Sequence, residues 1–395
     1  MAYVKYTDLY TPNQVLEKMV EYIKSRGYTV VQDLVDDTNI YDRATVDGKK
    51  FVFHNRDSDY FIHLRSFNKI SPFGVADDDA MDEAEPDIDK GYCGIAMTIS
   101  EGYSPSQRWY YQYNVPLKKN TKTVCYTCMP IVDRTGHEPY VLYCNNIISP
   151  SDTLMFTVAL HYTEADDEAY WDRNEYKCVH MVVGDLTKYD TWTGGIYFSA
   201  SAVPSTVINA SEMFDPENDK DVEDVHDSAI LPILSSGSIS NTFLRIDIDD
   251  APSASRGNIR WASSGTDNMT GKRLSIPVRV GNSGNGDIPS YYNIQSHSKL
   301  DWGRDINTLN CVTLNLPLYM AVLVDPDVLE VYSDVGQVCG LYYCCLLNMQ
   351  STFCYEMSYP QSKNLCQVFS PSMRRGKYGF DGISIRQLEE DTTLT

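Results

Sequence analysis

YVLYCNNIISPSDTLMFTVALHY, Tyr140 to Tyr162, sets the pattern for most of this chain. Two runs rich in Tyr, Val, Leu and Phe flank a Ser-Pro-Ser-Asp cluster. Aromatic and β-branched side chains fit a pleated strand, whereas Pro, Ser and Asp favour turns. The same alternation recurs in GIAMTIS from Gly94, WYYQYNV from Trp109, KCVHMVV from Lys177 and IYFSASAV from Ile196. It continues through FLRIDID from Phe243, LSIPVRV from Leu274, CVTLNLPLYMAVLV from Cys311 and GLYYCCLL from Gly340. Regularly punctuated strands of this kind predict a large β-rich, sandwich-like body over residues 91–395, with long loops and room for two subdomains.

Upstream, one segment reads as a helix. Thr11-Pro12-Asn13-Gln14 places an N-cap Thr, a Pro at the first helical position and a Gln at the third, the signature of a capping box. Val15, Leu16, Met19 and Ile23 recur on one face, and Gly27 supplies a stop. Strand-like TVVQDL, KFVFHN and YFIHLRSF follow, from Thr29, Lys50 and Tyr60. A helix and three strands predict a small α+β domain over residues 1–75, and the acidic residues 76–90 read as a linker or loop. The fold class is therefore α+β, a small helix-plus-strands domain ahead of the β-rich body.

At 395 residues and 43% hydrophobic, the chain has material for two or three domains, and wholesale disorder is excluded. Leu316 to Val324 is the longest apolar run, short of the roughly 20 residues a membrane helix needs. The opening MAYVKYTDLY carries no secretory pattern, so the expectation is a soluble, cytosol-made protein without membrane contact.

Three tracts hold most of the acid. Asp77–Lys90 and Glu212–Asp227 each carry net −7, and Glu164–Glu175 carries −5, out of −21 for the chain. The scaffold is thus nearly neutral. Tight nucleic-acid binding is not expected, since phosphate contacts need clustered Lys and Arg.

The eleven cysteines are an odd count without a signal peptide, which argues for reduced, mostly buried thiols. Cys125-Tyr-Thr-Cys128, with His137 and Cys144 downstream, has zinc spacing. Residues three apart on a strand point to opposite faces, however, and no second pair is present. Gly265 to Arg273 resembles a phosphate-binding loop but has five residues between its glycines and Arg273 where Ser or Thr is needed. Asp215 to Asp227 lacks the glycine of a calcium loop. These readings predict no metal, no cofactor and no catalytic residue. The 29 Tyr against 12 Phe favour extensive interfaces, because Tyr is amphipathic and loses little freedom on fixing.

Two longer stretches carry a resemblance. One is HMVVGDLTKYDTWTGGIYFS, His180 to Ser199; the other is SMRRGKYGFDGISIRQ, Ser372 to Gln387. With the N-terminal helix and YFIHLRSF, they resemble virion structural proteins of tailed bacteriophages, in which a strand passes through a G-x-L-x-K-Y turn to an aromatic W-x-G-G-x-Y segment. The resemblance implies a virion protein assembled in the host cytoplasm, a component of the tail, neck or baseplate. Its expected partners are copies of itself in a ring and neighbouring virion proteins, with at most passive contact with DNA in a lumen.

Trp192, Tyr197, Arg374, Arg375, Lys377 and Tyr378 are the candidate assembly-interface residues. The plainer alternatives are that Trp192 and Tyr197 anchor neighbouring strands and that the basic cluster is a solvated turn. A receptor- or carbohydrate-binding virion module is the second functional reading, and a cell-wall-degrading enzyme the third.

Overall fold

Helix α1 (Pro12–Ser25) begins and ends where its sequence predicts. Thr11 Oγ1 accepts from the Gln14 amide at 3.2 Å, and Gln14 Oε1 accepts from the Thr11 amide, also at 3.2 Å. Gly27 follows at φ +76°, a left-handed conformation that L side chains resist. Val15, Leu16, Met19, Val20, Tyr22 and Ile23 form its buried face.

In this computed structural model the described residues are 2–36, 48–55, 59–68, 93–117, 124–148, 151–162, 175–188, 194–201, 242–245, 261–263, 274–275, 316–325, 331–345, 352–357, 364–369, 381–387 and 389–390. Five strands, β2 (Thr29–Asp36), β3 (Lys49–His54), β4 (Phe61–Asn68), β5 (Cys93–Ser100) and β6 (Thr127–Pro130), make an antiparallel sheet in that order. A larger sheet is centred on β1 (Ala2–Leu9), β7 (Tyr140–Ile147), β8 (Thr153–Tyr162), β9 (Glu175–Thr187), β10 (Ile196–Ala200) and β11 (Thr242–Arg245). Short β12 (Trp261–Ser263) extends it beyond β11. Through β9 it continues into β15 (Val331–Cys345), with β13 (Leu274–Ser275), β14 (Leu316–Asp325), β16 (Cys354–Met357), β17 (Asn364–Phe369) and β18 (Asp381–Gln387). β19 (Glu389–Glu390) lies parallel to the start of β1.

The central strands are buried on both faces, which explains why they read as unbroken apolar runs. Val4, Leu142, Phe156, Val158, Val179, Met181, Ile196 and Phe198 share one core with α1 and the five-stranded sheet. Their neighbours Tyr143, Met155, Ala159, Cys178, Val182 and Tyr197 belong to a second core with Leu318, Met320, Val338, Leu341, Phe369, Ile383 and Ile385. Three layers result, with the β14–β18 region folded back over the central sheet. Each large side chain fully buried this way contributes about 1.5–3 kcal/mol.

Two expectations change. The boundary predicted near residues 75–91 is not a domain boundary, because β4 and β5 pair without a break from Phe61↔Ser100 to Asn68↔Cys93. Residues 69–92 join two adjacent strands of one sheet, and the first core runs from Val4 to Phe243. WYYQYNV, expected as a strand, opens with a 3-10 turn at Trp109–Tyr111.

Three contacts orient the sheets. Asn55, beside the β3–β4 turn, donates to Asp185 at 3.1 Å, and Arg245 Nε donates to Glu101 at 2.7 Å. At the opposite end, the Arg134 amide donates to the Tyr10 carbonyl at 2.8 Å. The ends of β4, β8 and β10 and the starts of β5, β9 and β11 therefore lie at one end of the layered body. The segments that contain the three acidic tracts join strands at that end; residues 77–90, 164–174 and 212–227 fall outside the described residues.

Candidate functional site

The outer face of the five-stranded sheet carries an unusual density of buried polar side chains. His63, Arg65, Thr98 and Ser100 are all at most 1% exposed, and residues 101–113 cover them as an Ω-loop. Its ends are joined by the Glu101 amide donating to the Tyr113 carbonyl at 2.9 Å. Gln112 staples it from within: its Oε1 accepts from the Ser104 amide, and its Nε2 donates to the Ser104 and Gln107 carbonyls, all within 2.8–3.0 Å. Tyr103 Oη donates to Gln32 Oε1 on β2 at 3.3 Å. The Trp109 ring meets the His63 ring edge-on at 4.9 Å, and the Arg65 guanidinium lies 5.5 Å from its centroid.

His63 and Ser100 look at first like a base and a nucleophile, with Nε2 and Oγ 2.6 Å apart. Ser100 Oγ, however, donates to the Gly102 carbonyl at 2.8 Å. With the serine proton so used, Nε2 must carry the ring proton and donate, leaving Nδ1 an acceptor. Nδ1 is buried and has no hydrogen-bond partner. A serine that gives its proton to a carbonyl is not being activated by the imidazole. Burial alone pushes His63 down to about 3 and Arg65 down to about 9.

A second polar cluster sits between α1 and the central sheet. Tyr28 Oη lies 2.6 Å from both carboxylate oxygens of Asp152, and Asn146 Nδ2 donates to Asp152 Oδ1 at 2.9 Å. The Asp185 amide donates to the Asp152 carbonyl at 2.8 Å. Close by, the Cys339 thiol is pushed up by burial, an effect that hydrogen bonds from the Ser151 backbone and Thr187 side chain and the Arg386 charge partly offset. This cluster ties the turn after α1 to β7, β8 and β9, so its chemistry is that of a clamp.

Of the predicted interface residues, only Tyr197 is among those described, and it is fully buried. Its hydroxyl is 3.4 Å from Thr153 Oγ1, and burial holds its pKa well above the usual phenol range. It faces the second core of its own chain and has no surface to offer a neighbour. The expectation of an interface role there is corrected to the strand-anchoring one. Trp192, Arg374, Arg375, Lys377 and Tyr378 lie outside the described residues.

Cys125 is half-buried, and Cys128 and Cys144 are buried. Among the described residues no three His, Cys, Asp or Glu side chains converge as a metal site, and no helix is long and apolar enough to cross a membrane.

What the sequence pattern missed is the Ω-loop's outward side. Tyr113 is 65% exposed and Tyr111 55%, the most exposed large apolar side chains among the described residues. The Arg108 guanidinium donates to the Tyr110 hydroxyl beneath them. The run WYYQYNV held the signal, in Gly102 and Pro105 before it and Pro116 after it, residues that favour a loop over a strand.

No protein-family model matches the chain, and no curated protein matches it.

Proposed function

We propose that this chain is an architectural component of a tailed-bacteriophage particle, a ring-forming tail, neck or baseplate adaptor that acts through subunit interfaces without catalysis. The observation that carries the reading is the pair Tyr111 and Tyr113, displayed on an internally stapled loop above a rigid sheet. Tyr rings have few rotatable bonds and lose little freedom when a neighbour covers them, which suits repeated contacts between identical subunits. Heterologous contacts of that kind close into rings when the rotation permits. The segments that contain the acidic tracts join strands at the opposite end of the body from the start of this loop, so in this reading a subunit presents one end to its neighbour and the other to a lumen, where like charge keeps DNA from adhering.

The test is the oligomeric state of the full chain by mass photometry and negative-stain microscopy, beside Tyr111→Ser/Tyr113→Ser. Rings formed by the parent and lost in the double variant are expected. A parent that stays solitary at every concentration overturns the reading. The same two rings also suit stacking on a sugar, so the second reading is a glycan-binding virion module. Retention of the parent on a glycan array, lost in the double variant, favours it over the first. Turnover of cell-wall material would instead establish an enzyme.

A further inference from the structure

We propose that the Ω-loop formed by residues 101–113 is an acid-released latch, held shut by neutral His63 and opened when that ring takes up a proton. The proposal concerns the same loop as the assembly reading above, but it is argued from the geometry beneath the loop and not from Tyr111 and Tyr113 on its outward side.

With the loop closed, His63 donates through Nε2 to Ser100 Oγ, and Nδ1 has no partner. A second proton can go only to Nδ1, where it creates a buried cation whose new N–H finds no acceptor. The charged and titratable groups on the surrounding described elements do not relieve it. Arg65 follows two residues along β4 on the same face, and β3 contributes Lys50 and His54. The loop contributes Glu101, Tyr103, Arg108 and Tyr110, and the Glu101 carboxylate is engaged by Arg245. Strand β5 presents the hydroxyls of Thr98 and Ser100, and β2 presents Gln32. The layer is therefore rich in bases, and a protonated His63 adds to Arg65 under the same Trp109 ring.

Opening the loop lets water solvate the imidazolium. The loop can leave as a unit, because Gln112 and the Glu101–Tyr113 bond hold it together without the sheet. Compact loops with joined ends, packed by their own side chains, are frequently functional. Closure and protonation are thus coupled.

The direction follows from the two states of the ring. In the open loop His63 titrates near its ordinary 6.5, and in the closed loop near 3. The closed state has its full advantage above 6.5 and loses it as the pH falls towards 3. Between pH 7.5 and pH 5 the balance shifts towards the open loop by about 30-fold. The exposed face then carries His63, Arg65 and Trp109.

Hydrogen exchange of the full chain, corrected for intrinsic rates, tests this. From pH 7.5 to pH 5, protection in residues 101–113 should fall by about 30-fold while β7 and β8 stay protected. Acrylamide quenching of the parent against Trp109→Phe should show the Trp109 component becoming accessible over the same range. His63→Gln, which keeps a donor towards Ser100, should abolish both responses, and His63→Phe provides a second non-titrating variant should Gln fail to fold. Unchanged loop protection, loss of protection across the whole molecule together, or the same response in a folded non-titrating variant overturns the proposal.

Discussion

Tyr28 and Asp152 are 124 residues apart in sequence, yet the phenol oxygen lies 2.6 Å from both carboxylate oxygens. Asp152 is 1% exposed and Tyr28 5%, so the phenol is a donor to a carboxylate that water does not reach freely. Tyr28→Phe should destabilise the chain by about 1–3 kcal/mol, since a buried acceptor loses a donor while the ring packing survives. A lower urea midpoint with an unchanged slope is the expected signature. If Tyr28→Phe and Asp152→Asn lower the midpoint additively, the two residues are not coupled and the clamp is misassigned.

The glycine pair after β9 separates two kinds of constraint. A Cβ at Gly195 would lie 2.1 Å from the Arg245 carbonyl oxygen, whereas at Gly194 it would meet the flexible side chain of Lys188. Both have positive φ, +72° at Gly194 and +146° at Gly195. Gly194→Ala should cost roughly 1 kcal/mol, as a single strained residue does. Gly195→Ala should cost clearly more, because β10 must move away from β11. Equal thermal shifts for the two variants would show that the β10–β11 approach is not rigid.

Thiol chemistry should follow burial. Burial raises Cys128 and Cys144 well above the usual thiol range, and Cys125 and Cys354 are only half-buried. Since the thiolate is the reactive form, alkylation of the native chain at pH 8 should modify Cys125 and Cys354 well before Cys128 and Cys144. Peptide mass spectrometry checks the order, and denaturant should erase it. Rapid native labelling of Cys144 would mean that the layer between α1 and β7 opens.

The helix cap offers a quantitative control. Thr11→Ala removes the acceptor for the Gln14 amide and should lower stability by about 1 kcal/mol. Thr11→Ser should restore most of it. No difference between the Ala and Ser variants in thermal melts would place the stability of this helix entirely in its packing.

How much of this could be read beforehand depends on the range of the interactions involved. The capping box at Thr11 and Gln14 is local, and it placed α1 correctly. The punctuated runs at Tyr140 and Leu154 likewise identified strands. The two-faced burial of those strands was not legible, because an apolar run does not say what covers each side. The acidic residues 76–90 read as a linker or a loop, and the pairing of β4 with β5 across them leaves no local mark that separates the two. The Tyr28–Asp152 clamp draws on residues with no motif spacing at all. Tyr197 is open in the sequence to an interface or a strand-anchoring reading, and nothing local shows that β10 turns it towards the second core.

The two-sided core of the central sheet raises a question of alignment. In a sheet with one wet face, sliding a strand by a single residue exposes its apolar side chains, and that penalty holds the pairing in place. β8 and β9 enjoy no such protection, since either face suits either set of side chains. Their alignment rests on small polar and steric pegs. Thr157 stands across from His180, with Oγ1 and Nδ1 3.0 Å apart, and only a glycine at 184 leaves room for the Asp152 carbonyl, 2.6 Å from where a Cβ would be. A chain that lost these pegs would keep its oiliness and its layers, and its strands would be free to settle one notch out of step.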